Sequence, residues 1–170
     1  GITLIGLLFL LPQAGQAQPV GQTVTLDAPQ PPTANLALQS NATGNMEAWR
    51  TFTGPATVHA LAFEGNYVWW GTDQGVVKWD KTNDTYVLYT TDNSGLTSNY
   101  VRAIAIDESG AKWFGTLGGV SVLSGASWIT FTRDNSGLAG NSVYAMSIDA
   151  NGAKWFGGSG VSVLSGTTWT

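Results

Sequence analysis

The sequence predicts an all-β protein assembled from repeated four-stranded units, and three observations carry that prediction. The first is a pattern written twice: Asp92-Asn93-Ser94-Gly95-Leu96 through Lys112-Trp113-Phe114-Gly115 returns as Asp134-Asn135-Ser136-Gly137-Leu138 through Lys154-Trp155-Phe156-Gly157. A degenerate earlier copy, Val58-His59-Ala60-Leu61-Ala62-Phe63 followed by Trp69-Trp70-Gly71-Thr72, makes three units. The second is composition: 22 glycines and 8 tryptophans among 170 residues, with 11% charged, suit short strands joined by glycine turns better than solvated helices. The third is that each unit divides into four short apolar or alternating runs separated by turn residues. Self-similarity of this length marks propeller blades or solenoid repeats, in which a unit buries its apolar faces only against its neighbours. A helical solenoid is disfavoured, because Gly or Pro interrupts the chain every few residues.

Taken in order, Ile2 to Leu11 is an apolar run followed by Pro12 and the small residues Ala14, Gly15 and Ala17. Residues 1–17 therefore read as a secretory signal peptide cleaved after Ala17, a partial one because no basic stretch precedes it. It is too short to span a bilayer permanently. Residues 18–45 carry Pro19, Pro29, Pro31 and Pro32 among many Gln and Thr, and read as an extended or disordered linker. Residues 46–170 are then the propeller region, with a lone outer-type strand at 48–53 and blades at 57–90, 100–132 and 142–170.

Blade two is the clearest. Tyr100 to Asp107 has small and β-branched residues on both faces, as a strand buried on both sides does. Glu108-Ser109-Gly110 supplies a turn, and Lys112 to Thr116 forms a second strand with Trp113. Gly118-Gly119 turns into a third strand, Val120 to Leu123, and after Ser124-Gly125 a fourth begins at Trp128. In blade three the first turn contains Asn151-Gly152, a hairpin signal because both residues tolerate positive φ. Four antiparallel strands in such a unit make a propeller blade, with the small first strand innermost and Trp and Phe filling the gaps between blades. The strand at 48–53 resembles an outer strand yet precedes the first inner one, so it is expected to complete the last blade and remove a free sheet edge. Propellers need about four to eight blades. With about three present the β-propeller is expected to be incomplete, with further blades beyond residue 170.

The net charge of −4 and seven scattered basic residues argue against nucleic acid as a partner. There is no cysteine, which removes disulfides, thiolate metal sites and cysteine nucleophiles. No catalytic constellation, metal cluster or phosphate loop appears, so no cofactor is expected and the chain does not read as an enzyme. Asp107 and Asp149 stand at strand ends before Gly turns, where Asp caps local backbone amides.

Gly95-Leu96-Thr97-Ser98-Asn99-Tyr100-Val101, then Ile104, Asp107, Gly110, Trp113-Phe114-Gly115-Thr116 and Gly119-Val120, resemble the two-component regulator propeller repeat. Gly137 to Val143 with Asp149, Gly152 and Trp155-Phe156-Gly157 is a second match. The first copy departs, lacking the Gly-Leu and Asn elements before Val58 and carrying Glu64-Gly65 at the Asp-to-Gly turn. The resemblance covers residues 46–170. It implies a periplasmic or extracellular sensor, tethered to the membrane by a later segment, that binds a small molecule or oligosaccharide and feeds a histidine kinase. It also allows a dimer through the sensor. Relatives without output domains leave a secreted adhesion or structural scaffold as an alternative, and a propeller hydrolase or lyase as a third.

Comparison of the copies points to a site. Positions alike in all copies build the scaffold, whereas positions differing in chemistry are free for specificity. At the start of the inner strand, equivalent positions hold His59, Arg102 and Tyr144 in near-identical frames. These three, with Tyr100, are expected at the entrance of the central channel in contact with a polar ligand; the alternative is that they are ordinary rim residues.

Overall fold

The computed structural model describes residues 56–170 throughout and, before them, three strands. The chain divides into two compact units, Gly1–Pro55 and Ala56–Thr170. In the first unit β1 (Thr23–Val24), β2 (Thr33–Ser40) and β3 (Met46–Thr53) form an antiparallel sheet in that order. The segment expected to be a signal peptide, residues 1–17, lies outside the described residues. The stretch expected as linker holds β1 and β2, and the outer-type strand expected at 48–53 is β3, paired with β2 along all eight residues. The polar residues and prolines of this stretch hide a short period-two alternation, Ala34, Leu36 and Leu38, which suits a strand.

The second unit is three four-stranded antiparallel sheets, the fold expected, and no helix occurs among the described residues. Blade one comprises β4 (Val58–Glu64), β5 (Tyr67–Thr72), β6 (Val76–Asp80) and β7 (Thr85–Tyr89). Blade two comprises β8 (Val101–Ile106), β9 (Lys112–Thr116), β10 (Gly119–Ser124) and β11 (Ser127–Phe131). Blade three comprises β12 (Ala145–Ile148), β13 (Lys154–Gly157), β14 (Val161–Ser165) and β15 (Thr168–Trp169). Each is a simple meander, and the first strands of neighbouring sheets approach one another.

Turn chemistry sets these registers. Gly75 and Gly119 share the same left-handed backbone, φ 129° and 130°, and a Cβ at either would collide with the carbonyl oxygen of Tyr89 or Phe131. Only glycine fits there. The Asn151-Gly152 turn differs from the expected pair of positive φ values, since Gly152 alone is left-handed at 78°. The reason is Asp149: its carboxylate accepts the amides of Asn151 and Ala153, and its carbonyl accepts that of Gly152, so the connection between the paired Ile148 and Lys154 runs over residues 149–153 instead of a two-residue turn.

The motif Asp-Asn-Ser-Gly-Leu builds the crossing between blades. Asn93 accepts the Thr90 amide and donates to the Leu88 carbonyl, while Ser94 Oγ donates to the Thr90 carbonyl. Asn135 and Ser136 repeat every one of these bonds one blade later. The loops thereby drop Leu96 and Leu138 into the two interblade cores. Gly95 and Gly137 serve close approach, because a Cβ at either would strike the side chain of Trp128 or Trp169.

Both cores are aromatic. Between blades one and two, Trp69, Val76, Val101, Phe114 and Leu123 are buried, with Phe114 ringed by Trp69 at 5.9 Å and Trp128 at 5.7 Å. Between blades two and three, Trp113, Val120, Val122, Val143, Phe156 and Leu164 are buried, and Trp113 lies 6.0 Å from Phe131 in a parallel stack. Each fully buried aromatic ring contributes about 2 to 3 kcal/mol from area. Only blade two is flanked on both sides by described blades, and its inner strand buries Val101 and Ala103, whereas Leu61 and Phe63 of blade one are exposed.

An acid, a tryptophan and a lysine join each pair of blades. Trp113 Nε1 donates to Asp107 Oδ2 at 2.9 Å, and Lys154 of blade three sits 5.3 Å above the Trp113 ring with Nζ 3.8 Å from the same oxygen. One blade earlier Trp69 donates to Glu64 at 3.0 Å, and Lys112 lies 5.3 Å over Trp69 and bonds Glu64 at 2.6 Å. Burial raises the Asp107 carboxyl, but bonds from Ser109, Trp113 and the Ala111 amide outweigh it and hold it below the ordinary range. Glu64 follows the same balance: burial raises it, and the bonds from Lys112 and Trp69 outweigh that and hold it below the ordinary range.

Candidate functional site

The starts of the inner strands carry a local irregularity. Val58 pairs with Thr72 and Ala60 with Gly71, so His59 is the extra residue of a β-bulge; Arg102 is its equivalent between Val101–Thr116 and Ala103–Gly115. A bulge leaves one residue outside the ladder and re-aims its side chain. Tyr144 takes the same place before β12, where its amide donates to the Gly157 carbonyl at 2.8 Å. The neighbouring Val143 amide crosses to the Thr116 carbonyl of blade two, fixing the two inner edges together.

The four residues singled out from the sequence meet in a row across three blades. The His59 and Tyr100 rings stack at 5.1 Å with 23° between their planes. The Arg102 guanidinium lies 5.0 Å from the Tyr100 ring and 6.0 Å from that of Tyr144. A cation between two aromatic faces is held in place without an acid. Tyr144 is 53% exposed and gives the row an open ring. His59 Nε2 and Arg102 Nε are buried with no hydrogen-bond partner among the described residues. Orphaned buried polar groups are uncommon in folded proteins.

Asp107 and Asp149 stay with the turns, each accepting two backbone amides and a tryptophan Nε1. Among the described residues no group of three His, Asp or Glu is placed to hold a metal ion. One feature escaped the sequence reading, a polar concavity between blade one and Lys112 of blade two, lined by Glu64, Tyr67, Lys78, Asp80, Asn83 and Lys112. Lys78 lies 3.8 Å over the Tyr67 ring. Its signal was available, because Lys78 stands where the other copies have Val122 and Val163.

No protein-family model and no curated protein sequence matches the chain. Solved structures do match. The extracellular domain described as part of the hybrid two-component system BT3049 from B. thetaiotaomicron superposes with a TM-score of 0.61 at 21% identity, over 79% of this chain and 22% of that one. PorZ, a bacterial surface component of the type-IX secretion system of Porphyromonas gingivalis, matches with a TM-score of 0.60 at 18% identity, over 85% of this chain and 25% of that one. A streptogramin B lyase matches with a TM-score of 0.54 at 14% identity, over 88% and 57%. The chain thus spans about a quarter or less of the first two. At these identities the likeness shows the β-propeller fold, and neighbours from two-component sensors are consistent with the two-component regulator propeller resemblance.

Proposed function

We propose that residues 56–170 are three blades of an extracytoplasmic sensor propeller that binds a polar ligand, an oligosaccharide, along the row His59, Tyr100, Arg102 and Tyr144. The observation that carries this reading is the row itself: residues that differ between copies, two of them, His59 and Arg102, set on bulges, converge at the starts of the inner strands. An exposed tyrosine face beside a guanidinium suits a sugar, whose C–H face packs on the ring while its hydroxyls accept from the cation. The extracellular sensor domains among the structural neighbours support export and a sensory role. In the whole protein the reading includes a membrane tether, a histidine kinase output and dimerisation through the sensor. The likeness to PorZ supports a second reading, a surface scaffold without signalling output.

The test is calorimetric titration of the full protein with an oligosaccharide panel, repeated with Arg102→Ala and Tyr144→Ala. Loss of about tenfold or more in affinity for each variant, about 1.4 kcal/mol, is expected. Unchanged affinity removes the row from the reading, and absence of any binding partner in the panel favours the scaffold.

A further inference from the structure

Blade one departs from its sister blades around the polar concavity, and the departures fit together. Strand pairing equates Tyr67, Lys78 and Asp80 with Ala111, Val122 and Ser124 of blade two. The hairpins at that end differ as well. The β4–β5 connection is residues 65–66 where blade two uses 107–111, and the β6–β7 connection is residues 81–84 where blades two and three use 125–126 and 166–167. A short turn beside a long one leaves a recess of about 450 Å³, room for a small molecule. The long turn is pinned in place: the Lys81 amide donates to the Asn66 carbonyl at 3.0 Å and its Nζ to the Gly65 carbonyl at 2.8 Å. Asp80 accepts the Thr82 and Asn83 amides and the Asn83 side chain.

The recess is left with surplus donors. Both carboxylates on its wall are occupied, Glu64 by Lys112 and Trp69, and Asp80 by the turn it caps. Lys78 Nζ, held 3.8 Å over the Tyr67 ring and 5.3 Å from that of Trp69, hydrogen-bonds no acceptor among the described residues, and neither does the Tyr67 hydroxyl. An ammonium fixed against aromatic faces gains strongly from an anion that it can hydrogen-bond. Glu64 and Asp80 nearby repel a doubly charged group, so a single negative charge suits the place. The Thr82 hydroxyl and the Asn83 side-chain oxygen on the rim can accept from ligand hydroxyls. We propose that this recess is a second binding site, for a small carboxylic acid bearing hydroxyl groups, with its carboxylate on Lys78 and the Tyr67 hydroxyl and its hydroxyls toward Thr82 and Asn83. His59 and Glu64 stand toward opposite ends of β4, about 17 Å apart along the strand, so the site is separate from the row and does not depend on it.

The test is a titration of the full protein with D-gluconate, followed by nuclear magnetic resonance at the backbone amides of Thr82 and Asn83. Saturable shifts of both amides are expected. Sorbitol, which has the hydroxyls without the charge, is expected to bind about tenfold more weakly or worse. Lys78→Met should weaken gluconate binding about tenfold or more, and it should fold, since the other blades carry valine at this place; Lys78→Gln is the second variant. Arg102→Ala, in the row, should leave gluconate affinity as it is. Absence of saturable shifts, equal affinity for sorbitol, or unchanged affinity in the Lys78 variants would overturn the proposal. Inorganic phosphate moving the same amides at lower concentration than gluconate would overturn the choice of a carboxylate, and a loss in Arg102→Ala alone would put the anion in the row instead.

Discussion

Trp113 and Trp155 make one experiment possible that most proteins do not offer. They occupy the same place in successive blades and donate the same 2.9 Å bond to an aspartate, yet 7% of one is exposed and 44% of the other. Replacing each with Ala deletes the same atoms and the same bond, so the difference between the two losses isolates what the adjoining blade contributes. A tryptophan buries up to about 250 Å². The gap in exposure therefore amounts to about 90 Å², or about 2 kcal/mol at about 25 cal/mol per Å². Trp113→Ala should cost about 3 to 5 kcal/mol, the range for buried large-to-Ala changes, and Trp155→Ala about 2 kcal/mol less. Urea unfolding of the 170-residue chain followed by circular dichroism, with the slope m shared by both variants, reads the gap directly. Equal losses would refute the reasoning, since they would mean that the interblade contact adds nothing to the blade's own packing.

Three further outcomes follow from the same geometry. Gly95→Ala and Gly137→Ala push a Cβ into Trp128 and Trp169, and each should destabilise the chain by about 1 to 3 kcal/mol in thermal unfolding; neutral variants would mean the loop yields freely. Thr116→Val leaves the Gly118 amide and the Gly119 carbonyl without the buried hydroxyl that now serves both, for a loss of about 1 to 3 kcal/mol. Because Glu64 and Asp107 are held below their ordinary values when folded, their stabilisation is complete above the ordinary carboxylate range, about pH 4, and is lost as pH falls through the depressed values. Asp107→Asn should therefore lower stability at neutral pH and flatten the acid limb of a stability profile, and an acid limb of unchanged steepness would contradict the balance described for that carboxyl.

Much of the architecture was legible because the period-two runs and turn glycines of each unit are local signals. The candidate residues His59, Arg102, Tyr144 and Tyr100 stand out in the sequence for another reason, as departures from an otherwise repeated frame. The bulges that set His59 and Arg102 apart were not, since both copies contain the extra residue and no length difference betrays it. Gly95 reads as a turn residue in sequence, but its partner Trp128 lies in a strand much later in the chain, and only tertiary packing brings them together. The lysines of the interblade bridge recur with the frame, so a comparison seeking differences passed over them. Asn151-Gly152 shows the converse, a strong local signal overridden by a nearby carboxylate that recruits the turn amides.

The bulge also bears on how such a protein changes over generations. A residue outside the ladder has no partner side chain directly across the strand pair, so its identity is only weakly tied to the stability of the sheet. Blades one and two then each contribute one position that the ladder constrains only weakly, His59 and Arg102. Substitutions there are expected to change the chemistry of the row while the sheets themselves keep their pairing.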